Sequence, residues 1–363
     1  MTDRVPVVAL TGPLGAGKTT LLNHLLRRPG ARVGVIVNDF GAINLDAALV
    51  SGQVDETASI AGGCVCCLDD ASGLDDALAR LTDPRRGLDV VIVEASGLAE
   101  PGVLARMIRY SGVERVRPGG VIDLVDAVEY FDHHDGGGLP PARFSVATLV
   151  VVTKSDLLPP EGREATLAAI EARVREANPD VHLVRADRGR LDPALLHDVA
   201  EFEDPPDELP LGALLRAEQE AALAADSERH EVPGGHDGHD GHDGHDGHGH
   251  AHAASATAST PGPVAPGPLV DLLESPPPRA YRLKGVVGVQ ETAQRRAGYV
   301  VHVVGRQVHV HRCPPPEQST LVAIGLDLDP ATVAPLLGAA LTSSTRPDAA
   351  GLRRLRRHRL LSE

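Results

Sequence analysis

The chain has no tryptophan, and only four phenylalanines and four tyrosines among 363 residues. A core filled by aromatic rings is therefore excluded, and Val, Leu, Ile and Ala must supply the buried volume. Cysteine is just as scarce, with four residues, too few and too clustered for a disulfide framework. No apolar run approaches the roughly 20 residues that a membrane-spanning helix needs. The opening MTDRVPVVALTGPLG lacks the cationic and long apolar regions of a signal peptide. Positive charge is in deficit, the net charge being −15. That argues against nucleic acid as a partner, because no extended basic surface exists to release counterions. GLRRLRRHRLL at 351–361 is one local exception. These absences point to a cytoplasmic protein with no membrane contact.

What is present is length for about two or three domains. Over residues 1–205, short apolar runs alternate with helical stretches, the pattern of a parallel α/β sheet. LDVVIVEASG and VATLVVVTKSD are almost continuously apolar, as strands buried on both faces must be. Strands are expected at 5–11, 33–38, 89–93, 121–125, 148–153 and 181–184. Residues 206–231 read as a helical connector. Residues 232–278 are dominated by Gly, His, Asp, Ala, Ser and Pro and read as a disordered linker. Residues 279–342 read as a small α+β domain, with short antiparallel strands at 285–289, 299–304, 307–312 and 321–326 and a helix over 330–341. An Arg-rich tail, 343–363, follows.

Three motifs carry chemistry in the first domain. GPLGAGKTT, from Gly12 to Thr20, fits the P-loop pattern between an apolar strand and a helical run. Gly12, Gly15, Ala16 and Gly17 turn backbone N–H groups toward phosphates, and the helix start, with Thr20, adds partial positive charge. Lys18 is placed to reach the β- and γ-phosphates, and Thr19 to coordinate Mg2+. In VVTKSD, Asp156 can accept from the N1–H and the exocyclic amine of guanine. Adenine offers neither donor, and an unpaired buried carboxylate is costly. Lys154 can lie over the base, and Thr153 stands where this motif usually begins with Asn. In VVIVEASGLAEP, Glu94 ends a strand where P-loop proteins place an acid near Mg2+, and Gly97 can bring an amide to the γ-phosphate. Pro101 suits the first turn of a helix.

LTGPLGAGKTTLLNHLL, VIVNDFGAINLD, GGCVCC, VEASGLAEP and TKSD occur in an order similar to that of metal-handling P-loop GTPases related to nickel-insertion and cobalamin-synthesis proteins. More narrowly, the chain resembles the CobW-type metallochaperones, whose hallmark is C-x-C-C. YRLKGVVGV and STLVAIGLDLD resemble the C-terminal CobW domain. Two departures stand out: Asp39 where the family often has Glu, and Thr153 for Asn. The resemblance implies an α/β P-loop GTPase domain with a mostly parallel sheet, followed by a small α+β domain. It also implies a GTP-hydrolysing metallochaperone that serves a metal-requiring client protein, with Lys18 and Glu94 at the catalytic centre.

Cys64, Cys66 and Cys67 are a soft trio suited to Zn2+, with Co2+ as the alternative. Adjacent strand residues point to opposite faces, so all three meet one metal only if the backbone kinks, a freedom that Gly62 and Gly63 supply. Three thiolates leave one tetrahedral position open, which suits a metal to be handed on. The trio lies between the P-loop and Glu94, where GTPases carry segments ordered by the γ-phosphate. A dithiol switch, a passive zinc store and a cobalt-insertion GTPase for a cobalamin-type or nitrile-hydratase-type target are the competing readings. The repeat HDGHDGHDGHDGHGHAH at 236–252 offers many weak, exchangeable metal sites. His309 and His311 share one strand face and read as solvated, Cys313 reads as a lone thiol, and the Arg tail reads as a solvated helix end.

Overall fold

The computed structural model describes residues 4–26, 32–37, 56–59, 72–95, 100–131, 142–195, 253–326 and 328–362. Valine, leucine and isoleucine dominate seven short segments of its first part, and these pair as one all-parallel sheet. In chain order the elements are β1 (Val5–Thr11), α1 (Lys18–Leu26), β2 (Val33–Val37), β3 (Glu56–Ser59), α2 (Ser72–Leu81), β4 (Val90–Glu94), α3 (Pro101–Arg109), β5 (Val116–Asp126), β6 (Leu149–Thr153), α4 (Arg163–Ala177) and β7 (His182–Arg185). The strand order is β3-β2-β4-β1-β5-β6-β7. Successive residues of β1 serve opposite faces. Val8 and Leu10 pack with Leu21, Leu22 and Leu25 of α1, whereas Val7 and Ala9 pack with Leu74 and Leu78 of α2 and Leu104 of α3. Both faces are covered, which is why the strands are apolar throughout.

The second part continues with β8 (Ala253–Pro261), β9 (Pro263–Val264), α5 (Pro266–Glu274), β10 (Arg282–Thr292), β11 (Arg295–Val304), β12 (Gln307–Cys313), β13 (Gln318–Leu326), α6 (Pro330–Ala340) and α7 (Ala349–Ser362). Its sheet runs β12-β11-β10-β13-β8 with antiparallel neighbours, and the short β9 pairs parallel with β10. The α/β class and the α+β character of the second part match the expectation.

Two stretches read from composition alone turn out otherwise. Of the linker expected over 232–278, the described part from residue 253 is folded instead: AASATASTP pairs residue for residue with β13, and Pro266 opens α5. Its small polar residues suit an edge strand that draws order from its partner. The Arg-rich tail is a docked helix. Leu352 and Leu355 are buried in the core of the second part, Arg354 pairs with Asp271 and Glu274, and His358 meets Glu274 at 2.9 Å. Arg356, Arg312 and Arg295 surround Glu291, which also accepts from the Tyr299 hydroxyl at 2.8 Å. Burial alone would raise the Glu291 carboxyl, but Tyr299, Arg356 and Arg312 outweigh it and hold it below the usual range.

The two parts share a boundary. Tyr281 and Val304 belong to the cluster around α1 and the parallel sheet, and the Tyr281 hydroxyl lies 3.1 Å from Thr148 Oγ1. Burial pushes the Tyr281 phenol up. Ala253 N–H donates to Asp192 at 2.8 Å, Arg282 donates to the Leu195 carbonyl at 3.2 Å, and Arg306 pairs with Asp180. No helix among the described residues is long and apolar enough to cross a membrane.

Candidate nucleotide and metal site

The strand order turns on β1, which lies between β4 and β5, so the loop leaving β1 opens at the centre of the sheet's C-terminal edge, where ligands of such sheets bind. That loop is the P-loop. Gly12, Gly15 and Gly17 all have positive φ, at 148°, 81° and 91°, a backbone that side chains disfavour. At Gly12 a Cβ would also come within 2.9 Å of the Leu124 Cβ. Ala16 is fully buried, and α1 begins at Lys18. The Lys18 ammonium is held over the loop by the carbonyls of Gly12 at 2.9 Å and Pro13 at 3.1 Å. Thr20, one turn position further, is exposed.

β4 runs beside β1 with Glu94 opposite Leu10. That register brings Glu94, 5 % exposed, to Thr19, whose hydroxyl donates to Glu94 Oε1 at 3.4 Å. A hydroxyl and a carboxylate converging beside a phosphate loop form a hard-oxygen set that fits Mg2+.

The residues expected to meet the base, Thr153, Lys154 and Asp156, lie at and just beyond the end of β6. Thr153 Oγ1 lies 2.8 Å from the Ala16 carbonyl and 3.1 Å from that of Val125, so its hydroxyl ties β6 to the P-loop. This hydroxyl contact is made from the position where the motif usually has Asn. Lys154 is left-handed at φ 58°, and its ammonium meets Asp126 at 2.5 Å. Asp126 is buried, and its other oxygen accepts the N–H groups of Val128 and Glu129. Asp156 Oδ2 lies 3.7 Å from Nε of Arg188, another left-handed residue, in the turn after β7. That turn is pinned to α1, since a Cβ on Gly189 would meet the Leu21 backbone at 3.0 Å.

Asp126, Arg188 and a further pair, Asp123 and Arg143, were not anticipated. Asp123 is fully buried, accepts from the Thr11 hydroxyl at 2.7 Å at the mouth of the P-loop, and is gripped by Arg143 at 2.5 and 2.6 Å. A signal was available: VIDLVDA puts two acids in a strand that is otherwise buried, where a carboxylate needs a partner.

Asp126 anchors Lys154 by charge and caps a turn by accepting N–H groups. Asparagine keeps the cap and loses the charge, so Asp126→Asn is expected to weaken GTP binding about tenfold with the fold intact, the loss of roughly one charge-assisted hydrogen bond. Calorimetric titration with GTP, alongside thermal melting, checks this.

Gly97 and the thiol trio Cys64, Cys66 and Cys67 lie outside the described residues, as do Asp39 and the histidine repeat at 236–252. Among the described residues no group of three His, Cys, Asp or Glu side chains is placed to hold a metal. Cys313 is half-buried and takes part in no disulfide among the described residues. The strand face bearing His309 and His311 is not solvated as expected. His309 lies opposite His302 on β11, and the rings of His302 and His311 are stacked with centroids 6.1 Å apart.

Residues 6–185 match the nucleotide-binding domain family CobW/HypB/UreG, and residues 253–341 match the C-terminal domain of cobalamin synthesis protein CobW. The zinc chaperone YjiA of Escherichia coli is 34% identical over 177 residues, covering 47% of this chain and 55% of that protein. The zinc-regulated GTPase metalloprotein activator 1 of Schizosaccharomyces pombe is 30% identical over 213 residues, covering 56% and 49%. The chain spans about half the length of the curated relatives it matches. The crystal structure of Zn(II)-bound YjiA GTPase from E. coli overlaps at a TM-score of 0.42 with 20% identity, over 94% of this chain and 100% of that one. With its two parts matched in sequence to two successive domains of one family, the chain belongs to the CobW/HypB/UreG family of nucleotide-binding proteins and carries the CobW C-terminal domain.

Proposed function

We propose that this chain is a GTP-hydrolysing metallochaperone, working in a reducing cytoplasm, that binds Zn2+ through Cys64, Cys66 and Cys67 and passes it to a client protein. The observation that carries the nucleotide half is the contact of Thr153 with Ala16, which joins the phosphate loop to the guanine-reading segment. The metal half rests on the spacing of the thiols and on relatives named as zinc chaperones.

In this reading Lys18 leaves the loop carbonyls for the β- and γ-phosphates, and the backbone amides of Gly12–Thr20 cradle the same groups. Thr19 and Glu94 hold Mg2+, which would neutralise developing charge on the phosphates. Gly97 presents its amide to the γ-phosphate. Lys154 covers the guanine face, and Asp156 reads its edge once Arg188 has moved aside. Water is the nucleophile. No described side chain is a strong general base at this site, so turnover of the isolated protein is slow.

Phosphate release with GTP and with ATP, with and without Mg2+, tests the reading on the native chain and on Lys18→Ala. Slow, Mg2+-dependent hydrolysis of GTP alone, lost in the variant, supports it. A chain that hydrolyses neither nucleotide, yet binds zinc equally well without them, is a passive store.

A further inference from the structure

Away from the P-loop, toward the N-terminal ends of β1, β5 and β6, a cavity of about 700 Å3 opens between the parallel sheet and the second part. Its walls are α3, the start of β5, the turn Ala142–Val146 and the hairpin joining β11 to β12. The volume falls within the roughly 300–1,000 Å3 that small-molecule sites occupy.

Its charge is one-sided. Arg106 and Arg109 enter from α3, Arg306 from the hairpin and His309 from β12, while Asp180 is the one carboxylate among the described lining residues. Asp180 is already taken by Arg306. His309 registers the field. Burial first, then the charges of Arg117, His302, Arg109 and Arg4, push its imidazole down to about 3. Its Nε2 is buried without a hydrogen-bond partner among the described residues. Burial and the neighbouring cations together disfavour a proton on His309, and an entering anion would favour one.

We propose that this cavity binds a small polyanion, a molecule carrying two or more phosphate or carboxylate groups, gripped by Arg106 and Arg109 and hydrogen-bonded by His309. The planar guanidinium forks on α3 suit bidentate contacts to either kind of oxyanion. The bound molecule would bridge α3 to β12. Because α3 follows β4 and Glu94 in the chain, the ligand would also bear on a helix next in sequence to the γ-phosphate segment.

The proposal stands apart from the GTPase reading, and its test keeps the two separate. Inorganic tripolyphosphate and tricarballylate, one phosphate and one carboxylate probe, are titrated calorimetrically without Mg2+ into full-length protein carrying Lys18→Ala, which removes the P-loop lysine. Both are expected to bind with micromolar to millimolar affinity. Adding Arg106→Gln and Arg109→Gln, two exposed positions on α3, should weaken binding by about tenfold or more. Arg109→Gln alone, with circular dichroism as the fold check, should give a smaller loss in the same direction. The His309 imidazole resonance should titrate at higher pH with anion than without. The proposal is overturned if neither probe binds at millimolar concentration, or if binding survives both arginine substitutions. It is equally overturned if only an acidic peptide binds, which would make the cleft a protein-docking face.

Discussion

Asp156→Ala is expected to lower GTP affinity by about 100-fold or more, while ATP affinity stays within about twofold. Two hydrogen bonds from guanine to a carboxylate contribute roughly 1.5–3 kcal/mol each, and each 1.4 kcal/mol is a factor of ten. Adenine lacks both donors, so removing the acceptor costs ATP little. The present geometry sharpens the expectation. Arg188 lies 3.7 Å from Asp156, in the turn that presses on α1, and a guanine read by Asp156 would have to displace it. Arg188→Ala should therefore move GTP affinity by no more than a few-fold. Calorimetry with both nucleotides on the native chain and each variant checks this. Equal affinity of the native chain for ATP and GTP would sink the guanine assignment.

The second large effect concerns the floor of the P-loop. Among the described residues, Arg143→Ala leaves the fully buried Asp123 with the Thr11 hydroxyl as its side-chain donor. Removing one partner of a buried ion pair typically costs about 3–5 kcal/mol, because the remaining charge is uncompensated. That is a large fraction of the stability of an ordinary domain. Urea unfolding should show a lower midpoint for Arg143→Ala. Asp123→Asn combined with Arg143→Ala should recover part of the loss, since no charge is then stranded. If the single variant unfolds at the native midpoint, the pair does not bear on stability, and Thr11 alone holds Asp123.

The parallel strands were legible because burial on both faces writes itself as runs such as VVIVE and LVVVT. The P-loop and TKSD were legible because phosphate and guanine chemistry restrict residue type at fixed spacing. β3 was not legible. ETAS has neither an apolar run nor alternation, and its pairing with β2 defines it. The first half of β5 was hidden by Pro118 and Gly119, residue types that strands disfavour. The sheet accommodates them through a register shift between Val7 and Val8 and through Gly120 at φ 114°. β8 was hidden by small polar residues that resemble a linker, and α7 by its arginines. Ion pairs of Arg354 and Arg356 with acids more than sixty residues away consume those arginines, which no local reading reveals. The partners of Asp123 and Asp126, Arg143 and Lys154, likewise come from later segments. Sequence shows that a buried acid needs a cation but not which one.

The central claim is that nucleotide and metal are coupled, so each must alter the other's binding by the same free energy. The direct measurement is a zinc competition titration against a chromophoric chelator, with GDP and with a non-hydrolysable GTP analogue, on the native chain and on Cys66→Ser. The account predicts that zinc affinity differs between the nucleotide states by at least about tenfold, or ~1.4 kcal/mol, with protons released as the thiols coordinate. Cys66→Ser should lose that difference and still bind both nucleotides, having no assigned phosphate contact. Equal zinc affinity with GDP and with the analogue would contradict the account and leave the thiols as a store or a redox pair.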